Sequence, residues 1–248
     1  MKPCPALAAQ PAGAMHRARL MAFCSALLFC AIGWAQPAGA RALPAVVVWD
    51  FDNQTPAAAA TAERTEFLKR SLSENLTAAL LQVAGLPVVE RQRLKDLLAE
   101  QKVSASDLAD DDSRVRLGKI IGATRMVFGG FFVLGDEVQV HVRLIDTATA
   151  RVLFSDEAAL PMAAVMQDIA PLNRRLAQVL AGAATGANTA TRSYPAALWQ
   201  AYDQALSLAD GGQFDSAVQA LQRLLTNNKD FTPAERQLVA LLDRMARR

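Results

Sequence analysis

The chain has 248 residues, with 26 Lys and Arg against 24 Asp and Glu, a formal net charge of +2, and only 2 His and 3 Cys. That near-balance, with no basic stripe carrying interleaved aromatics, argues against nucleic acid as a partner. Cys4, Cys24 and Cys30 all precede residue 41, so the rest of the chain has no thiol for a disulfide, a thiolate metal site or a cysteine nucleophile.

The N-terminal segment, residues 1–40, reads as a secretory signal peptide. Met15-His16-Arg17-Ala18-Arg19 supplies a basic start and residues 20–34 an apolar core. Ala38-Gly39-Ala40 is a small-residue cleavage pattern, with Ala40-Arg41-Ala42 as a second candidate. The apolar run is shorter than the roughly 20 residues a spanning helix needs, and Gly33, Pro37 and Gly39 break its end. No later segment is apolar enough to span, so no transmembrane span is expected after cleavage. Residues 1–14 carry no acidic group and read as an upstream start-site extension; the pattern accommodates translation from Met1 or from Met15. Cys24 follows Phe23 and Cys30 follows Phe29, where a lipobox needs a small residue, so the mature protein is expected to be soluble. Cleavage removes Lys2, Arg17 and Arg19 but no acid. The remaining chain of about 200 residues is close to neutral and fits one modest domain plus an appendage.

Residues 45–51 (Ala-Val-Val-Val-Trp-Asp-Phe) form a continuous apolar, β-branched run, as expected for a strand buried on both faces. An alanine-rich link leads to a helix in which Phe67, Leu68, Leu72, Leu76, Ala79, Leu80 and Val83 make one apolar stripe. Gly85 and Pro87 stop it. Residues 86–90 read as a short strand, and Leu94, Leu97 and Leu98 mark a second helix. After polar residues 104–112, whose acids complement a helix N-terminus, a third helix carries Val115, Leu117, Ile120 and Ile121 and ends at Gly122. From Arg125 the period changes. Residues 126–134 are an apolar strand interrupted by Gly129-Gly130, a bulge or close-approach site, and Gly135-Asp136 is a two-residue hairpin signal. Residues 137–146 alternate, with Val138, Val140, Val142 and Leu144 on one face and Gln139, His141 and Arg143 on the other. Residues 152–157 are another strand. A helix over 163–183 follows, kinked at Pro171.

The order β-α-β-α-α-β-β-β-α predicts an α+β domain over residues 45–183 with a mixed sheet and covering helices. Residues 184–193, in a small and polar stretch that begins at Gly182, read as a linker. Residues 194–248 then form an all-α extension: helices over 194–210 and 213–228 joined by Gly211-Gly212, and a third from Pro233 with Leu238, Leu241 and Leu242 inward. Gly212-x-Phe214-x-x-Ala217-x-x-x-Leu221-x-x-Leu224 resembles the latter half of a tetratricopeptide repeat. One such hairpin cannot bury its own face. It is read as a docking hairpin or as a lid on the α/β domain; a flexible hinge and a separate helical unit are the expected arrangement.

Catalytic patterns are sparse. Val46-Val47-Val48-Trp49-Asp50-Phe51-Asp52-Asn53 resembles the opening of haloacid-dehalogenase-like phosphatases, in which two acids two residues apart share a hard cation. Gln54 stands where that pattern wants Thr or Val, and no second acidic pair follows a strand suitably. His141 is the only histidine beyond the leader, and one histidine without cysteines does not make a zinc site. No Walker loop, dinucleotide fingerprint or nucleophile elbow is present. The expectation is a non-enzyme with no catalytic residues, cofactor or metal, and Gln139, His141 and Arg143 as partner-facing candidates.

Several ordered segments together resemble the curli-secretion-channel (CsgG-like) family over roughly residues 45–160. They are Val88-Val89-Glu90-Arg91-Gln92-Arg93-Leu94-Lys95-Asp96-Leu97-Leu98-Ala99-Glu100-Gln101, Leu117-Gly118-Lys119-Ile120-Ile121-Gly122-Ala123, and Gly129-Gly130-Phe131 through Gly135-Asp136 to Val142-x-Leu144-Ile145-Asp146-x-x-Thr149. The TolB N-terminal-like domain shares that fold. The resemblance implies a periplasmic, cell-envelope assembly protein, peripheral to the outer membrane, whose partners are envelope proteins, with homo-oligomerisation open. A secretion-channel subunit and an Asp-x-Asp phosphatase are the alternatives. Pore-forming members are lipoproteins with long membrane-inserting hairpins, whereas both hairpins here are tight; their usual glycine at the second turn is Ala150 here. Cleavage is predicted after Ala40 or Ala42. N-terminal sequencing of periplasmic protein checks this, and an intact leader in a membrane fraction refutes it.

Overall fold

The computed structural model describes residues 45–56, 61–100, 102, 110–182 and 193–247, all within one compact unit, Ala42–Arg248. The leader and the linker expected over 184–193 lie outside the described residues, apart from Ser193.

Six strands form one mixed sheet. They are β1 (Val46–Val48), β2 (Asp52–Asn53), β3 (Val88–Val89), β4 (Arg125–Leu134), β5 (Glu137–Asp146) and β6 (Val152–Pro161). The order is β3-β1-β4-β5-β6, with β2 also on β4. The early strands pair in parallel and the late meander antiparallel. Helices α1 (Leu68–Leu80), α2 (Arg91–Glu100) and α3 (Asp111–Ile120) fall between them. Helices α4 (Val165–Asp168), α5 (Ala170–Ala181), α6 (Ala196–Asp210), α7 (Phe214–Asn227) and α8 (Thr232–Ala246) follow. The predicted α+β order therefore holds.

Four details refine or differ from the sequence expectation. The run over 45–51 pairs only to Val48: Trp49 N–H still donates to Val127 O at 3.1 Å, but Phe51 N–H turns away to Lys69 O at 2.9 Å, and pairing resumes at Asp52. Gly129 and Gly130 form no bulge, since β4 pairs with β5 without interruption; the irregularity lies between Leu144 and Ile145 on β5 against β6. They are close-approach sites instead. A Cβ on Gly129 would lie 2.4 Å from the ring of Phe51, which is buried. Leu242, expected inward, is exposed. Pro171 lies in the first turn of α5, and the helical segment breaks just before that helix, at Ile169.

Turn chemistry follows residue type. Gly135, Gly122 and Gly212 take positive φ at the β4–β5 hairpin, after α3 and before α7. Ala150 also sits at φ 57°, where a side chain costs about 1 kcal/mol relative to glycine. Asp110 caps α3, accepting from Ser113 N–H at 2.7 Å.

The alternation of β1, β4 and β5 sends side chains to two cores. Val46, Val48, Val127, Phe131, Val138, Val140, Val142 and Leu144 join α1, α4 and α5 on one side. Val47, Trp49, Met126, Phe128 and Ile145 meet Leu94 of α2 and Val115 of α3 on the other. The first core runs on into the tail: Trp199, Tyr202, Leu206, Phe231 and Leu241 belong to the same cluster as Leu68, Leu72 and Leu76. Trp199, Tyr202 and Phe231 stack edge-to-face at 5.0–5.9 Å. Arg70 of α1 adds ion pairs to Asp203 at 2.5 Å and Asp210 at 3.1 Å.

The tail is thus no separate unit, contrary to the expected hinge-and-module arrangement. A single helical hairpin needs a neighbour to cover its apolar face, and α1 is that neighbour. Trp199→Ala is expected to cost about 3–5 kcal/mol and to lower the unfolding midpoint of the whole unit. Denaturation followed by Trp49 fluorescence and by circular dichroism checks it: the two curves should coincide at a lower midpoint than in the parent.

Candidate functional site

The three partner-facing candidates lie on β5, on the sheet face that α2 and α3 cover only in part. Positions Phe128, Gly130, Phe132 and Leu134 on β4 share that face by their alternation. Cross-strand pairing sets Phe128 against Arg143, Gly130 against His141 and Phe132 against Gln139; on β6, Glu157 stands opposite His141. Helix α3 covers the Phe128 end. Beyond it the face opens, with Phe132 38% and Leu134 71% exposed.

The half nearer α3 is tied together by ions. Arg114 of α3 donates two bonds of 2.9 Å to the two carboxylate oxygens of Asp52, and its guanidinium lies 6.0 Å from the Phe128 ring centroid. Arg143 donates to Asp111 at 2.7 Å. His141 is half-buried, and its ring lies across the backbone of Gly130: a Cβ there would come within 2.5 Å of the imidazole. Gln54 Nε2 is 3.5 Å from His141 Nε2. Desolvation, helped by the positive charge of Arg143, lowers the His141 pKa from its ordinary 6.5, against the pull of Asp52 and Glu157. The imidazole is therefore neutral at neutral pH and can donate at one nitrogen and accept at the other. Gln139 contacts Glu137 and otherwise borders the exposed Phe132.

The structure brings His141 and Arg143 into one polar cluster with Asp52, Gln54, Asp111, Arg114 and Glu157, and leaves Gln139 at its rim. Sequence reading missed the α3 contributors. The Asp52–Arg114 pair spans 62 residues, and no local pattern announces it. Gly130 was the readable signal, because a glycine inside a strand marks a place where something approaches the backbone closely.

Asp50 and Asp52 take different partners. Asp52 is held by Arg114, while Asp50 accepts from Ser73 Oγ at 3.2 Å and lies 3.8 Å from Arg91 on α2. Among the described residues no group of three or more His, Cys, Asp and Glu could hold a metal ion. A groove of about 940 Å³ between α2 and α8 is lined by charges of both signs, among them Glu90, Arg93, Asp96 and Arg244.

Residues 32–136 match the family model described as curli production assembly/transport component CsgG. Over that stretch the chain is similar to the CsgG family. The match spans β1 to the β4–β5 turn and stops before β5, where the resemblance read from the sequence ran to about residue 160. No curated protein matches the chain. Among solved structures, the LpoB C-terminal domain from Salmonella enterica is 18% identical over 50% of this chain and 87% of that one, with a TM-score of 0.35. Lipoprotein GNA1162 from Neisseria meningitidis is 17% identical over 57% and 99%, with a TM-score of 0.38. TolB from Acinetobacter baumannii is 14% identical over 56% and 28%, with a TM-score of 0.37.

A Gly130→Ala substitution tests the arrangement of the open face. The added methyl forces the imidazole to rotate outward at a cost of about 1–3 kcal/mol, and the ring becomes hydrated. The His141 pKa should then rise toward its ordinary value. Proton NMR titration of this imidazole, the only one beyond the leader, reads the shift; an unchanged titration would contradict the geometry.

Proposed function

We propose that this chain is a non-enzymatic accessory protein of cell-envelope assembly, exported to the periplasm, and that it acts by protein contacts through the open face of the β4–β5–β6 meander. The observation that carries the assembly reading is the CsgG family match over residues 32–136. The surface assignment rests on the combination at that face of exposed Phe132 and Leu134 with a neutral imidazole and a fixed ion-pair rim. Interfaces of this kind combine an apolar centre with oriented polar groups. The tetratricopeptide-like tail is assigned a supporting role, since its apolar stripe is used against α1.

The channel alternative has less support. The β4–β5 hairpin turns in two residues, and the apolar row Val138, Val140, Val142 and Leu144 of β5 is buried in the domain core. A lipid-facing strand would need such a row outward over about 9–11 residues. The phosphatase alternative fares no better, because Asp50 and Asp52 engage different cations.

Chemical cross-linking and capture from envelope extracts tests the proposal, using mature protein and the variants Phe132→Asp and His141→Ala. The parent should capture a defined envelope protein, and each variant should lose at least tenfold of it while keeping its circular dichroism. Equal capture by parent and variants refutes the surface assignment. Conductance in planar bilayers, or turnover of an aryl phosphate with Mg²⁺ that Asp50→Asn abolishes, refutes the accessory role itself.

A further inference from the structure

The tail is fastened to the α/β domain by an ionic network whose centre is buried. Glu74 on α1 is 6% exposed. The charged and titratable groups facing it come from every neighbouring segment: Arg91 of α2, Glu90 before it, Arg236 of α8, Tyr202 of α6 and Asp50 of the β1–β2 link. The ionic contacts are long. Arg236 Nη2 stands 3.9 Å from the Glu74 carboxylate, and Arg236 Nε 4.0 Å from Glu90. Arg91 Nε and Arg236 Nη2 are buried without a hydrogen-bond partner among the described residues. An ionised carboxylate here is stripped of water, with only the Tyr202 hydroxyl and distant guanidinium groups in exchange, and that is costly.

Neither cation depends on Glu74 alone. Arg91 donates to Asp210, the last residue of α6, at 2.8 Å and lies 3.8 Å from Asp50; Arg236 has Glu90. Lys95 also pairs with Asp210. Protonating Glu74 therefore removes a poorly solvated anion while each guanidinium keeps a carboxylate. We propose that this junction is a proton-operated latch, which holds the helical tail on the α/β domain more tightly in mild acid than above neutrality.

The direction follows from linkage. Burial raises the Glu74 carboxyl from 4.5 to about 7, against the pull of Arg91 and Arg236 and with help from Asp50 and Glu90. A carboxyl that titrates higher when docked than when exposed favours docking below its exposed value; that contribution is lost as pH rises through about 7. Asp210 behaves oppositely: burial would raise it, but Arg91 and Lys95 hold it at about 2, so it stays ionised throughout. His141 has the reverse sign from Glu74, since its native pKa is lowered. Global melting would mix the two, so the readout must be local to the tail.

Hydrogen–deuterium exchange of the purified protein at pH 5.5 and pH 8, corrected for intrinsic exchange, supplies that readout in α6 and α8. The open fraction of these helices should be roughly thirtyfold higher at pH 8 than at pH 5.5. Glu74→Gln should remove the pH dependence and keep the helices. Arg236→Met, by deleting a cation that favours the anion, should move the transition to higher pH. A parent protein with equal open fractions at both pH values overturns the latch. So does a Glu74→Gln variant that keeps the parent's pH dependence, or an Arg236→Met variant whose transition stays in place.

Discussion

Everything in this structure is built around the burial of α1 on more than one side. Leu68, Leu72, Leu76 and Leu80 point into the sheet-side core, as an apolar stripe should. Ser71, Ser73, Glu74, Asn75 and Thr77 are buried as well. A surface helix would leave those residues in water; here α5 and the tail close over them. Asn173 of α5 donates to Asn75 at 2.8 Å in a buried bond, and Arg70 fastens the tail through Asp203 and Asp210. Each fully buried leucine contributes about 1.5–3 kcal/mol, and the polar residues make the packing specific. One partly satisfied position, Glu74, remains at the junction with the tail.

Covering α1 from outside has a consequence on the opposite face of the sheet. Among the described residues, α1, α4, α5 and the tail lie on one side and α2 and α3 on the other. Those two helices protect Val47, Trp49, Met126, Phe128 and Ile145, and they do not reach the far half of β4 and β5. The open face is thus a result of unequal helix distribution. Its polar groups are oriented by α3, which supplies Arg114 and Asp111 to Asp52 and Arg143. The accessory role proposed for the chain uses what the core leaves uncovered.

Much of the domain was legible because its signals are local. Alternation along β5 assigned the inward valines correctly, Gly135-Asp136 marked the hairpin, and the acids of residues 104–112 announced the N-terminus of α3. Gln139, His141 and Arg143 could be assigned to a face, because strand period depends on backbone geometry alone. Their surroundings could not be read. Arg114, Asp52 and Gln54 reach the same place from positions 27 to 91 residues from His141 or Arg143, and a single sequence carries no pairing information at that range. The inward assignment of Leu242 failed for a related reason: periodicity finds an apolar stripe, but the breadth of cover depends on which neighbour arrives.

The sequence by itself determined the leader pattern, the order of strands and helices, and the two-residue hairpin, since each follows from neighbouring residues and backbone sterics. Only the tertiary structure decided where the tail goes. Residues 194–248 have the same amphipathic stripes whether they swing free or dock, and the deciding term is the apolar and polar surface that α1 still offers once α5 is in place. That surface is assembled from α1 and α5, whose Asn75 and Asn173 are bonded across 98 positions. It exists only after the domain has folded, so no stretch of the chain could announce it.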